Sequence, residues 1–325
     1  MQMIARRNFV AGAAALVAST VSARAQSYPT RPVTFVVPFP PGGSMTIVAR
    51  AISDRLAELL GQQIVIDNRG GAGGTIATRA LARGDPDGYT IGLSNSSTLG
   101  IGPNLYANIG YDPRKDFAVI GRIGTAPLTL VAHPSFPART VSELIAYAQA
   151  NPGKVNYGSA GVGTLAHICG VYLASAAGVE LVHVPYKGTG PALADVIGGH
   201  IPLVFAPIPA TYANARSGHV RMLGVTSLQR STLMPDVPTI AEQGVAGYEA
   251  VLRYGVIAPA GTPRPIVEKL NQALNASLTT DDVRRRLALD GAEALPGTPA
   301  DYAADIDREE RLWAKVVKAA GIRLE

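Results

Sequence analysis

A single cysteine, Cys169, stands in 325 residues, so no disulfide can form within the chain. The fold must hold by packing rather than by covalent staples. Between Ile168 and Gly170, Cys169 reads as a small core side chain. Histidine is scarce as well: the five are scattered and show no metal-ligand spacing with one another or with the cysteine. No internal repeat, low-complexity linker or basic cluster interleaved with aromatics occurs. Residues 1–25 contain Arg6, Arg7 and Arg24 and no acid; removing those three from 29 Lys+Arg leaves 26 against 24 Asp+Glu, a net charge of +2. So small a balance gives no ground for a nucleic-acid or anionic-membrane partner.

The first 25 residues have the layout of an export signal. Arg6 and Arg7 form a basic start, residues 9–21 are apolar or small, and Ala23-Arg24-Ala25 is a cleavage triplet. Cleavage is expected after Ala25. The apolar stretch falls short of the roughly 20 residues a membrane span needs. Arg6-Arg7 followed by Asn8-Phe9-Val10 also fits a twin-arginine signal lacking the usual Ser or Thr, which leaves the Tat and Sec routes both open. The remaining 300 or so residues are enough for one large domain or two ordinary ones.

Val33–Val37 is a short β-branched run of the kind buried in parallel sheets. Pro38-Phe39-Pro40-Pro41-Gly42-Gly43-Ser44 follows as a tight loop. Ile47, Val48, Ala51, Ile52, Leu56, Leu59 and Leu60 then recur at helical spacing. Strand, glycine loop and helix together aim free backbone N–H groups at an anion. The pattern returns with a strand at 63–66, the loop Asn68-Arg69-Gly70-Gly71-Ala72-Gly73-Gly74 and a helix at 75–82. Asp85-Pro86-Asp87-Gly88 is a turn, and a strand at 89–93 leads to Ser94-Asn95-Ser96-Ser97-Thr98.

A second set begins with an apolar run at 128–132 and a helix at 140–150. A strand at 155–158 ends in Ser159-Ala160-Gly161-Val162-Gly163-Thr164 and leads to a helix at 165–177. Strands are expected at 181–184, 201–205 and 220–225, with a helix at 191–197. Thr262 is expected to cap a helix whose face is Ile266, Leu270, Ala273 and Leu274. Thr298-Pro299 starts a last helix with Ala303, Ile306, Leu312, Val316 and Val317 inward and Gly321 as its stop. Asp307, Glu309, Glu310, Arg311 and Lys315 read as its solvated face. All of this describes an open α/β architecture with a site along strand ends.

In order and spacing, these segments are similar to the Bug family, the extracytoplasmic receptors of tripartite tricarboxylate transporters. The match rests on Pro38-Phe39-Pro40-Pro41-Gly42-Gly43-Ser44 with Ala49-Arg50, Asn68-Arg69-Gly70-Gly71-Ala72-Gly73-Gly74 and Asp85-Pro86-Asp87-Gly88-Tyr89-Thr90. His183-Val184-Pro185-Tyr186-Lys187-Gly188, Gly190-Pro191-Ala192-Leu193 and Ala258-Pro259-Ala260-Gly261-Thr262-Pro263 complete it. The resemblance implies a two-lobed periplasmic binding protein fold (type II-like), each lobe a mixed sheet flanked by helices, with the hinge crossed twice. Residues 26–126 plus 254–325 would form one lobe and 127–253 the other, the chain crossing near 126–128 and 254–257. It further implies a periplasmic monomer that hands a small carboxylate to the permease subunits of a tripartite tricarboxylate transporter. A sensor kinase is the alternative partner.

A carboxylate taken from water needs replacement donors. From the first lobe these are expected from Gly42, Gly43, Ser44, Gly73, Gly74, Ser97 and Thr98, with Phe39 also expected at the ligand. From the second they are expected from Ser159, Gly161, Gly163 and Thr164, in part through ordered water. His167 is weighed between ligand contact and support of the helix cap, and Lys187 between anion attraction and plain solvation. Tyr186 reads as a packing residue. Where the family usually has Ser-Thr-Asp, this chain has Ser44-Met45-Thr46, which removes an acid from a position expected to face the cleft. Met45 and Thr46 are therefore expected to shape the pocket, and Ala206 within Phe205-Ala206-Pro207-Ile208-Pro209 to give it an apolar wall. The expected ligand is a dicarboxylate without an amino group, aromatic (such as terephthalate) or aliphatic.

An exported hydrolase is the rival reading, and the motifs do not favour it. Ser159-Ala160-Gly161 lacks the G-x-S-x-G elbow, His167 follows only eight residues later, and no nearby carboxylate would orient it. Gly70-Gly71-Ala72-Gly73-Gly74 is not a dinucleotide fingerprint. No catalytic residue, cofactor or metal is expected.

Overall fold

The computed structural model describes residues 28–322; the expected export signal lies outside them. Ten strands make one continuous mixed sheet. They are β1 (Val33–Val37), β2 (Ile64–Asn68), β3 (Thr90–Asn95), β4 (Phe117–Ala132), β5 (Asn156–Ser159), β6 (Val182–Pro185), β7 (Leu203–Pro207), β8 (Arg221–Val225), β9 (Val251–Pro259) and β10 (Glu293–Ala294). The order is β2-β1-β3-β9-β4-β7-β5-β6, with β8 and β10 also on β4.

The pairing directions create the cleft. β1 lies parallel between β2 and β3. β9 runs against β3, and β4 against β9, so β4 points the same way as β1 to β3. Past Pro127, β4 leaves β9 and pairs instead with β7 and β8. β7 opposes β4, and β5 and β6 run with β7. The carboxyl ends of the two parallel sets therefore face each other across the middle of β4, where ligands of open α/β sheets bind.

Thr226 knots the crossing. Its hydroxyl accepts from the Leu128 N–H at 2.8 Å, and its carbonyl accepts from the Ala250 N–H at 2.8 Å. One residue on, Val251 pairs with Pro127. Sixteen residues of β4 thus serve both halves, of which sequence pattern identified only the last five. Gly121, Gly124 and Pro127 interrupt the apolar run, and bulges between Val119/Gly121 and Arg122/Gly124 break the alternation that marks a strand.

Helix α1 (Ser44–Leu60) buries Val48, Ala49, Ile52 and Leu56 and ends at Gly61, whose left-handed φ of 72° closes the cap. It is followed by α2 (Thr75–Ala82), α3 (Gly102–Leu105), α4 (Val141–Ala150), α5 (Leu165–Ala177), α6 (Thr189–Ile197), α7 (Ile208–Arg216), α8 (Arg264–Leu278), α9 (Asp281–Ala288) and α10 (Pro299–Ala319). Cys169 is wholly buried in the core of α5.

Some local expectations change. Pro263, not Thr262, precedes α8, and the Thr262 hydroxyl donates to the Pro259 carbonyl at 2.8 Å. α7 and α9 are helices that the sequence pattern does not mark. On α10, Thr298 and Asp301 form a full capping box, but Ala303 is exposed. Glu309, expected in solvent, is 3% exposed and bonds Arg253 of β9 at 3.2 Å. No helix among the described residues is long and apolar enough to cross a membrane.

Candidate functional site

The first jaw is the loop from β1 to α1. Gly43 caps α1 in extended conformation with no side-chain acceptor, and no acid lies in the first turn. The Thr46 and Ile47 N–H groups reach back to the Gly43 carbonyl. The N–H groups of Ser44 and Met45 are left at the positive end of a 17-residue helix, beside exposed Gly42 and Gly43. Asn68 fixes the loop, its amide donating to the Phe39 carbonyl at 2.9 Å and to Thr46 Oγ1 at 2.8 Å.

That bond shows what residue 46 does. Thr46 is 2% exposed and holds Asn68 behind the loop, and Met45 at 4% belongs to the core. Both side chains are thus enclosed in this structure, and the hydroxyl of Thr46 is engaged by Asn68. Ala206 is likewise fully buried, packed with Val131 and Val204 in the core of the second half. The expected apolar wall at Ala206 is therefore interior.

An acid does reach the first jaw, from far along the chain. Asp290, in the turn after α9, is 5% exposed and accepts hydrogen bonds from Ser44 Oγ and, at 3.4 Å, from the Tyr254 hydroxyl. Burial pushes its carboxyl up to about 6, against the opposing pull of those two donors. An Asp-Gly pair reads as an ordinary turn, so no local signal marks it.

The other two first-half loops shape the floor. In Gly70 to Gly74, Gly74 adopts φ 94°, and a Cβ there would lie 2.8 Å from the Thr98 methyl and 3.1 Å from the half-buried Phe39 ring. The close approach demands glycine. Ser97 and Thr98 are buried in a wide helical turn, both N–H groups donating to Asn95 Oδ1, while the Thr98 hydroxyl donates to the Asn95 carbonyl. Thr98 thus spends its hydroxyl on the loop.

In the second jaw, Ser159 Oγ accepts from the Gly161 N–H at 3.0 Å and lies 2.6 Å from His183 Nε2. Thr164 caps α5, accepting from the His167 N–H at 3.4 Å and donating to the Gly161 carbonyl at 2.7 Å. His167 Nδ1 accepts from the Gly163 N–H at 3.3 Å, so its ring supports the loop. Burial, then the neighbouring His183, lowers His167 to about 3, and burial lowers His183 to about 4. Both rings are neutral at physiological pH. Lys187 is exposed, and the Tyr186 hydroxyl donates to Asp195 at 2.6 Å.

The jaws approach each other at Tyr106, a residue sequence reading passed over. A Cβ on Gly73 would lie 3.4 Å from the Tyr106 hydroxyl and 3.8 Å from the Val162 carbonyl; one on Gly163 would lie 3.1 Å from the same hydroxyl. Tyr106 stands where both glycine loops converge, and burial raises its pKa. No Lys or Arg side chain hydrogen-bonds to either jaw among the described residues. Two helix N-termini, backbone N–H groups and a phenol can therefore solvate an anion without a fixed cation. Ser159, for its part, is fully buried, and no carboxylate bonds its partner His183 among the described residues. Nor do three or more metal-binding side chains cluster among them.

Behind the jaws, Arg253 is 8% exposed and bonds Glu309 at 3.2 Å and Glu249 at 3.1 Å, while its N–H donates to Ser96 Oγ at 2.8 Å. Trp313 of α10 meets Tyr172 of α5 edge-on at 6.2 Å, and Tyr172 stacks on Tyr248 at 4.6 Å. Contacts across the two halves thus flank the crossing.

Residues 48–322 match the family model described as the tripartite tricarboxylate transporter family receptor. The protein BugT of Bordetella pertussis is 38% identical over 314 residues, covering 96% of each chain. The periplasmic binding protein BugD superposes with TM-score 0.82 at 39% identity, over 92% of this chain and 100% of that one. An R. palustris protein solved with adipate gives TM-score 0.83 at 38% identity over 91% and 99% of the two chains. MatC from Rhodopseudomonas palustris, with bound malate, gives 0.81 at 35% over 89% and 100%.

Proposed function

This chain belongs to the Bug family of tripartite tricarboxylate transporter receptors, and from that premise we propose that it captures a small dicarboxylate between its two halves. The observation that carries this reading is the pair of glycine loops, one at Gly73 and one at Gly163 before α5, that converge on Tyr106, with the uncapped start of α1 at Ser44 joined to the first through the Phe39–Gly74 contact. Backbone donors at Gly42, Gly43, Ser44, Gly73 and Gly74 would hold one carboxylate. Gly161, Gly163 and the start of α5 would hold the other. Ser159, Thr164 and His167 act mainly by fixing the second loop, since their polar atoms already serve it.

The lobes are residues 28–127 with 251–322, and residues 128–250; the pairing of Pro127 with Val251 supports placing the return there rather than at 254. The adipate and malate bound by structural neighbours support an aliphatic dicarboxylate ahead of an aromatic one. The partner is the permease of a tripartite tricarboxylate-type transporter, and the working compartment is the periplasm.

A thermal-shift screen of mono-, di- and tricarboxylates, amino and aromatic ones included, tests the reading, because a ligand that binds only the folded state raises Tm by mass action. Adipate or malate should raise it in proportion to the logarithm of concentration. A panel with no stabilising carboxylate would overturn the proposal.

A further inference from the structure

Asp290 is the one acidic group hydrogen-bonded to the first jaw among the described residues, and a trap for anions has no evident use for a buried carboxylate. Its geometry is well defined. Both described donors, Ser44 Oγ and the Tyr254 hydroxyl, meet Oδ2. Ser44 Oγ and the Tyr254 hydroxyl are themselves 3.0 Å apart. The adjoining Gly291 reaches the opposite half: a Cβ there would lie 3.2 Å from Pro209 and 3.4 Å from Ile208, at the start of α7. The carboxyl therefore sits on the residue whose N–H opens α1, and the next residue of its turn meets the opposite half.

The groups facing it are few. From α1 it meets Ser44, and from β9 Tyr254, whose ionisation burial and Asp290 itself oppose; the apolar Ile208 and Pro209 of the other half approach the adjoining Gly291. Its own turn adds Leu289 and Gly291. No cation is among them. An anion taken up on the Ser44 N–H would thus stand a few ångströms from a carboxyl with no positive neighbour, and like charges at that range disfavour the ionised form.

We propose that Asp290 makes ligand capture proton-coupled: as a ligand carboxylate settles on the start of α1, the Asp290 carboxylate takes a proton from solvent and is held as the neutral acid. This rests on the dicarboxylate reading above. The proton adds to an Asp290 oxygen, no other bond changes, and the net charge gained with a dianion is one negative unit rather than two. Asp290 is then a specificity residue. It sets the charge at which the first jaw accepts a ligand, a task sequence reading had given to position 46.

Titration calorimetry on the mature chain with adipate and with malate, in two buffers of different ionisation enthalpy at each of several pH values from 6 to 8.5, reads the coupling. We expect net proton uptake approaching one per ligand near pH 7.5, with affinity falling up to tenfold per pH unit above about 6. In Asp290→Asn, uptake should vanish and affinity should become flat across that range. In Asp290→Glu, uptake should persist. Binding with no proton uptake by the unaltered protein overturns the proposal whether or not the variants fold, and leaves the carboxylate reading standing. Equal uptake in Asp290→Asn also overturns it. If no carboxylate binds at all, both readings fall together.

Discussion

His167 and His183 stack with ring centroids 4.0 Å apart and planes 26° from parallel, directly beneath the second jaw. His183 also lies 2.6 Å from Ser159 Oγ, and His167 holds the Gly163 N–H. Two stacked imidazoles cannot both be charged without repulsion, so the loop's geometry requires neutral rings.

Acid should therefore loosen this jaw. Both folded values lie below the ordinary 6.5. As pH falls through 6.5, the unfolded chain takes up protons that the folded chain refuses. Their contribution is complete above 6.5 and is lost toward pH 4, by up to about 1.4 kcal/mol per pH unit for His167 and by less for the more solvated His183. Urea unfolding from pH 4.5 to 8 should show the slope, shallower in His167→Gln. Identical slopes would exclude His167 as a source.

Breaking the buried pair behind the hinge should be costly. Glu309→Ala leaves the Arg253 guanidinium 8% exposed and facing only Glu249. The expected loss is about 3–5 kcal/mol, read as the denaturant midpoint. Arg253→Met with Glu309→Leu should recover most of it. A Glu309→Ala protein of unchanged midpoint would mean that the pair is solvated after all.

Thr164→Ala removes the α5 cap and the bond to the Gly161 carbonyl together. A stability loss of about 1 kcal/mol is expected, with weaker binding through a looser loop. Ser44→Ala keeps the α1 N–H groups but takes a donor from Asp290. Its effect on affinity should therefore change with pH. Calorimetry showing unchanged affinity in both variants would remove the two-jaw model.

Tyr106→Phe separates ligand contact from folding. The hydroxyl makes no described hydrogen bond, so unfolding should shift by less than about 0.5 kcal/mol, the range of ordinary surface changes. Losing one hydrogen bond to the ligand should cost about 0.5–1.5 kcal/mol of affinity. Full affinity in the variant would place Tyr106 outside the site.

The strand–loop–helix units were legible because their information is local: apolar runs of strand length, then glycine, then helical spacing. The two jaws followed from the same signals. What sequence hid depends on distant partners. Glu309 sits in a stretch of charges that reads as a wet helix face, and only Arg253, 56 residues away, makes it interior. Asp290 meets Ser44 across 246 residues. Thr46 reads as a pocket residue because it stands where the family usually has an acid facing the cleft, and sequence gives no sign that its hydroxyl is taken up by Asn68, 22 residues away.

Residues 128–250 leave the first half at Pro127 and rejoin it at Val251, and those two residues are neighbours across a strand pair. An excursion whose ends lie about 5 Å apart in extended backbone is a cassette. A chimera exchanging that segment with a relative needs only two joins, one inside β4 and one at the start of β9. Half of the ligand grip could pass between receptors this way while the rest of the scaffold stays in place.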